Sequence, residues 1–245
     1  MLEENMAKLS IVVDKKYFKS DSIVHGRKIG DFFEQLTANV FSQSYQYWKA
    51  SRDFVEYAEL PLLYKERNLY SIFASAINKI TPIHLSEWSF NKSDHDADKS
   101  RRVDFWCLTK DGDIGKCIHY FIELKKAYYC ISDGTKEDLT ANANKTIHDL
   151  SSQIKDLKKL GLNWDGDGNV FLGVIVIHGY YSSKKEVGFD ETTIRENIYN
   201  ALDKRLKAQL IFSTWHLPKN MDVHWENDKC KFITIAGIAI TKHKK

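Results

Sequence analysis

Residues 170–177 constrain the fold most. They read Val-Phe-Leu-Gly-Val-Ile-Val-Ile, without one polar side chain. A short run so rich in Val and Ile is a strand buried on both faces. Such a strand must lie inside a sheet, with helices covering the layers above and below.

Helical patterns elsewhere supply those covers. Ile29, Phe33, Leu36, Val40 and Phe41 recur at helical spacing within residues 28–59, and Pro61 breaks that segment. Leu69, Phe73, Ala76, Ile77 and Ile80 make a stripe that predicts a helix over 62–80, stopped by Pro82. Ile147, Leu150, Ile154 and Leu157 predict one over 145–160, closed by Gly161. Ile194, Ile198, Leu202 and Leu206 predict another over 192–208, with Asp190 as its cap.

Strands are expected at 9–13, 83–90, 102–109, 116–131, 210–217 and 232–241. Asp111-Gly112 marks a hairpin between the third and the fourth. Hairpins mixed with helical crossovers imply an α/β protein with a mixed sheet flanked by helices. No internal repeat or linker divides the chain. We therefore read residues 1–245 as a single domain: a mainly helical N-terminal extension over 1–61, a core over 62–178, and a C-terminal helix with strands over 179–245.

Composition narrows the class. The chain has no run of 18 apolar residues, and its first residues, Met1-Leu2-Glu3-Glu4-Asn5, resemble no secretory signal. Its four cysteines, Cys107, Cys117, Cys130 and Cys230, form no Cys-x-x-Cys pair, so reduced thiols in a cytoplasmic protein are expected. A net charge of +3 permits nucleic-acid binding without demanding it. Basic side chains gather at Lys92, Lys99, Arg101 and Arg102, at Lys126, at Lys155, Lys158 and Lys159, and in the tail from Lys242 to Lys245. The nine histidines include no pair three or four apart, and no Walker loop, Gly-x-Ser-x-Gly or dinucleotide fingerprint is present. Asp165-Gly166-Asp167-Gly168-Asn169 lacks the spacing of a calcium loop and reads as a turn.

The chemistry lies in two neighbouring strands. Arg101-Arg102-Val103-Asp104-Phe105-Trp106 is followed across the hairpin by Tyr120-Phe121-Ile122-Glu123-Leu124-Lys125-Lys126. Alternation puts Glu123 and Lys125 on one face while Ile122 and Leu124 enter a core. A hairpin would bring Asp104 to Glu123, and two adjacent carboxylates repel unless a cation sits between them. Hard oxygen ligands suit Mg²⁺, with Mn²⁺ as a substitute, and the Leu124 carbonyl could add a ligand. Lys125 would stand beside an attacking water and the negative charge that develops. The plainer alternatives are a solvent-facing Glu123/Lys125 stripe and a salt bridge from Asp104 to Arg101 or Arg102.

Val103-Asp104 with Glu123-Leu124-Lys125 resembles the PD-(D/E)xK nuclease superfamily, over residues 62–178. Val103 stands where the family's name has Pro. The resemblance implies a restriction-endonuclease-like fold and a metal-dependent nuclease, most simply an endodeoxyribonuclease of restriction, defence or repair type. It implies nucleic acid as partner, DNA ahead of RNA, and a homodimer where both strands are cut. It also implies an acidic residue on the preceding helix, for which Glu66 fits and Glu34 is the rival, and a Gln on the following helix, for which Gln153 fits. The catalytic set implied is thus Asp104, Glu123, Lys125, Glu66 and Gln153, with Asp104, Glu123, Leu124 and Glu66 at the metal. The alternative is an inactive module of this fold that binds nucleic acid or a protein.

Overall fold

The computed structural model describes residues 10–14, 26–54, 59–90, 101–110, 116–131, 141–159, 168–181, 196, 200, 208–221, 223–225 and 228–242. Strand β1 (Ser10–Asp14) precedes helix α1 (Gly26–Phe54), a 3-10 turn (Pro61–Leu63) and helix α2 (Glu66–Asn78). Then come β2 (His84–Phe90), β3 (Arg101–Lys110), β4 (Cys117–Ile131), helix α3 (Ala141–Lys159) and β5 (Gly168–Tyr181). Strands β6 (Gln209–His216), β7 (His224–Trp225) and β8 (Asp228–Lys242) follow.

These strands form one eight-stranded sheet in the order β1-β6-β8-β5-β4-β3-β2, with β7 paired to β8. Only β4 and β5 run parallel, joined through α3; the other pairs are antiparallel. The protein is therefore α/β with a mixed sheet.

The run that read as a central strand is β5, between β4 and β8, and every residue from Val170 to Tyr180 is buried. Val170, Leu172, Val174 and Val176 face a core shared with α1 and α2, while Phe171, Ile175 and Ile177 face a core shared with α3. Full burial of each such side chain stabilises the fold by about 1.5–3 kcal/mol. Glycine lets the helices approach closely: a Cβ on Gly173 would lie 2.8 Å from Leu150 Cγ of α3.

The helices expected over 28–59, 145–160 and 192–208 fare differently. Helix α1 packs on the sheet: Ile29, Phe33, Leu36 and Phe41 are wholly buried in the same core as Leu172 and Ile235. Helix α3 begins at Ala141, ahead of the start expected at 145, and Ala143 is buried at its foot. The expected helix over 192–208 lies outside the described residues except for helical Glu196 and Asn200 and non-helical Ala208. No helix among the described residues is long and apolar enough to cross a membrane.

Candidate active site

The site forms where two strands part. β3 and β4 pair from Lys110↔Cys117 up to Phe105↔Ile122, and the ladder stops there. On its other side β3 pairs with β2 at Ser86↔Phe105 and at Trp88↔Val103, but not between them. The skipped position sets Asp104 opposite Glu87, whose φ is 49°. Left-handed backbone is unusual for a residue with a Cβ and marks a local distortion.

The neighbours of Asp104 turn to opposite cores, Val103 to the α3 side and Phe105 to the α2 side. Strict alternation would have put them on one face. With the ladder broken, the Asp104 carboxylate takes the place of a backbone acceptor: its Oδ2 accepts a 2.7 Å hydrogen bond from Leu124 N. That satisfies a donor which the parted strands leave open.

Glu123 and Lys125 border the same opening. Glu123 is only 7 % exposed. Lys125 is half-buried, and its Nζ lies 3.1 Å from Glu66 Oε1. Glu66 is the first residue of α2, where the helix dipole favours an acid. One turn further on, Tyr70 donates its hydroxyl to Asp104 Oδ1. Helix α2 thus delivers two side chains to the opening from one face, four residues apart.

Charge is unbalanced here. Burial holds the Glu123 carboxyl well above the ordinary carboxylate range; Asp104 beside it pushes the same way, Lys125 opposes, and a hydrogen bond with Asp104 and the charge of Glu66 add to the rise. Burial, first, and then its bond to Asp104 raise the Tyr70 hydroxyl far above its usual value. Three carboxyl groups face one ammonium, so Glu123 keeps its proton where no cation is present, and a divalent cation would take that proton's place.

Among the described residues, no group of three or more His, Cys, Asp or Glu stands ready to hold a metal. Glu66, expected at the metal, is paired here with Lys125 at 3.1 Å. The carboxyl groups that meet here are those of Asp104 and Glu123. Few protein oxygens suit Mg²⁺, which keeps several waters.

Of the residues singled out from sequence, Asp104, Glu123, Lys125 and Glu66 come together. Gln153 does not: it is exposed on α3 and takes no part in this group's hydrogen bonds or ion pairs. Glu34, on α1, is not among the charges that act on Glu123 or Tyr70, whereas Glu66 acts on both. Asp104 bonds to Tyr70 and Leu124, and no ion pair joins it to Arg102, which is exposed.

Lys126 is not a surface cation for phosphates. It turns inward, donating to the carbonyls of Leu63 and Tyr64 and lying 4.9 Å from the centre of the Tyr128 ring. Burial lowers its ammonium to about 8. It ties the 3-10 turn, and so the start of α2, to the central strand. The inward role of Lys126 is not legible in the sequence, and Tyr70 is not singled out there; its one usable signal is the four-residue spacing from Glu66.

A cavity of about 870 Å³ lies at the other end of the β3–β4 hairpin, lined by Lys28, Phe32, Ile83 and Tyr120 among others, and contains none of the site residues. Compared with protein-family models, curated proteins and solved structures, the chain matches none.

Proposed function

We propose that this protein is a metal-dependent nuclease hydrolysing phosphodiester bonds in nucleic acid, an endodeoxyribonuclease of restriction, defence or repair type. One observation carries it: Asp104, Glu123 and Glu66 converge with the Lys125 ammonium where β3 and β4 part. The element order supports the resemblance to the restriction-endonuclease-like fold. An acidic helix α2 leads into the β2–β3–β4 meander, which carries Asp104 and then Glu123-Leu124-Lys125, and α3 crosses to parallel β5.

A bound Mg²⁺ supplies a polarised phosphoryl oxygen and a water of lowered pKa. Asp104 and Glu123 hold it, with the Leu124 carbonyl as a further ligand. Lys125 presents its ammonium to the attacking water and to the charge that builds on the phosphoryl oxygens. Glu66 holds that ammonium in the opening. Cutting both strands of a duplex calls for two such sites, hence a homodimer. A cytoplasmic location accords with the free thiols of Cys107, Cys117 and Cys230.

A second reading is an inactive module of this fold that binds nucleic acid. Plasmid DNA and an RNA of similar length, incubated with the protein in Mg²⁺ or EDTA, separate the two. The nuclease cuts in Mg²⁺ only, and Lys125→Ala lowers the rate by roughly 10²–10³-fold while its melting curve stays close to that of the unaltered protein. Gel-shifted but uncut DNA in both Mg²⁺ and Mn²⁺ would establish the binding module instead.

A further inference from the structure

We infer that Tyr70 is a positioning residue of this site, its hydroxyl fixing the Asp104 carboxylate in the orientation that receives a divalent cation. The inference rests on the metal-dependent reading above and extends it to a residue outside the Asp…Glu-x-Lys set.

Asp104 sits at a break in its strand, where no ladder partner from β2 or β4 restrains it. A carboxylate there has free rotation unless both oxygens are held. Leu124 N takes Oδ2, and the Tyr70 hydroxyl takes Oδ1. Once a cation displaces the proton that Glu123 shares with Asp104, each oxygen keeps a further lone pair for the metal.

The type of donor matters. A lysine or arginine in place of Tyr70 would cancel the negative charge that attracts the cation. A phenol is a neutral donor, so it orients the carboxylate and leaves its charge in place. Carboxylates that bind metals are commonly steadied by such outer hydrogen bonds, whose loss costs roughly 10–100-fold in metal affinity or activity.

The phenol is itself held firmly. Its ring packs on Phe105, the neighbour of Asp104, with centroids 5.2 Å apart and planes tilted by 59°. Phe105 also stacks on Phe73, one turn along α2. Removing only the hydroxyl leaves this packing intact, so Tyr70→Phe isolates the hydrogen bond.

The test is calorimetric titration of Mn²⁺ alone into the full-length metal-free protein, its Tyr70→Phe variant and a Phe105→Leu variant, with thermal melting of each in EDTA. Tyr70→Phe is expected to bind Mn²⁺ roughly 10–100-fold more weakly, with a melting temperature near that of the unaltered protein. Phe105→Leu loosens the ring but keeps the hydroxyl, so it should melt earlier while holding Mn²⁺ nearly as tightly. In cleavage, raising Mg²⁺ should restore the Tyr70→Phe rate, so the loss appears in the metal requirement and not in kcat. Equal Mn²⁺ affinity for Tyr70→Phe and the unaltered protein would overturn the inference and leave the nuclease reading standing. So would a loss in Phe105→Leu as large as that in Tyr70→Phe, because packing and not the hydroxyl would then be responsible. An unaltered protein that binds no Mn²⁺ would overturn the metal-dependent reading and this inference with it.

Discussion

Lys125 Nζ lies 3.1 Å from Glu66 Oε1, joining the central strand β4 to the first residue of α2 across 59 positions of sequence. Both side chains are partly exposed, so the pair adds little to stability. On the proposed nuclease reading, its role is to aim an ammonium at the place where Asp104 and Glu123 meet.

That role separates two acids that sequence alone leaves equivalent. Glu66→Gln should lower the rate of Mg²⁺-dependent cleavage by roughly 10–100-fold, as loss of an outer partner commonly does. Glu34→Gln should leave it within about threefold, given that its charge does not reach the site. Steady-state kinetics on plasmid DNA check both; the reverse order would assign the acid to α1.

The metal-free protein should lose stability as pH rises. Burial and Asp104 hold the Glu123 carboxyl up to about 8, against an ordinary 4.5. Between those values the folded chain keeps a proton that the unfolded chain has released. Stability from this group is therefore complete below about pH 4.5 and is lost as pH rises through about 8. Urea unfolding in EDTA across that window should give a falling contribution, and Glu123→Gln should flatten it. Saturating Mn²⁺ should also oppose the loss, because a cation relieves the same repulsion.

The sheet's tight approaches predict a different class of effect. A Cβ on Gly179 would fall 1.9 Å from Phe232 Cζ, between two paired central strands. Gly179→Ala should destabilise the fold by about 1–3 kcal/mol, the usual cost of overpacking, without altering metal affinity per folded molecule. Urea unfolding measures the first and Mn²⁺ titration the second.

How much of this was legible in the sequence follows from which interactions are local. The β5 run, the α2 stripe and the β3–β4 hairpin were legible because period and turn chemistry belong to neighbouring residues. The Asp…Glu-x-Lys set was legible because a hairpin brings nearby segments together. The break at Asp104 was not: nothing in Arg102-Val103-Asp104-Phe105 marks where alternation fails, since that depends on Glu87 of β2 and on the parting from β4. Nor were the partners of the α1 stripe, which are distant in sequence; a Cβ on Gly237 of β8 would meet Phe33 at 2.5 Å. Lys126 reads as one more surface cation until the Leu63 and Tyr64 carbonyls are found beside it. Gln153, at the flank of the Leu150–Leu157 stripe, is exposed on α3.

Anomalous scattering from a crystal of the full-length protein grown with Mn²⁺ tests the central claim most directly. The account predicts one strong peak between the Asp104 and Glu123 carboxylates, about 2.0–2.2 Å from an oxygen of each, and its loss in Asp104→Asn. Carboxylates that remain bonded only to protein groups, with no peak between them at saturating Mn²⁺, would contradict it.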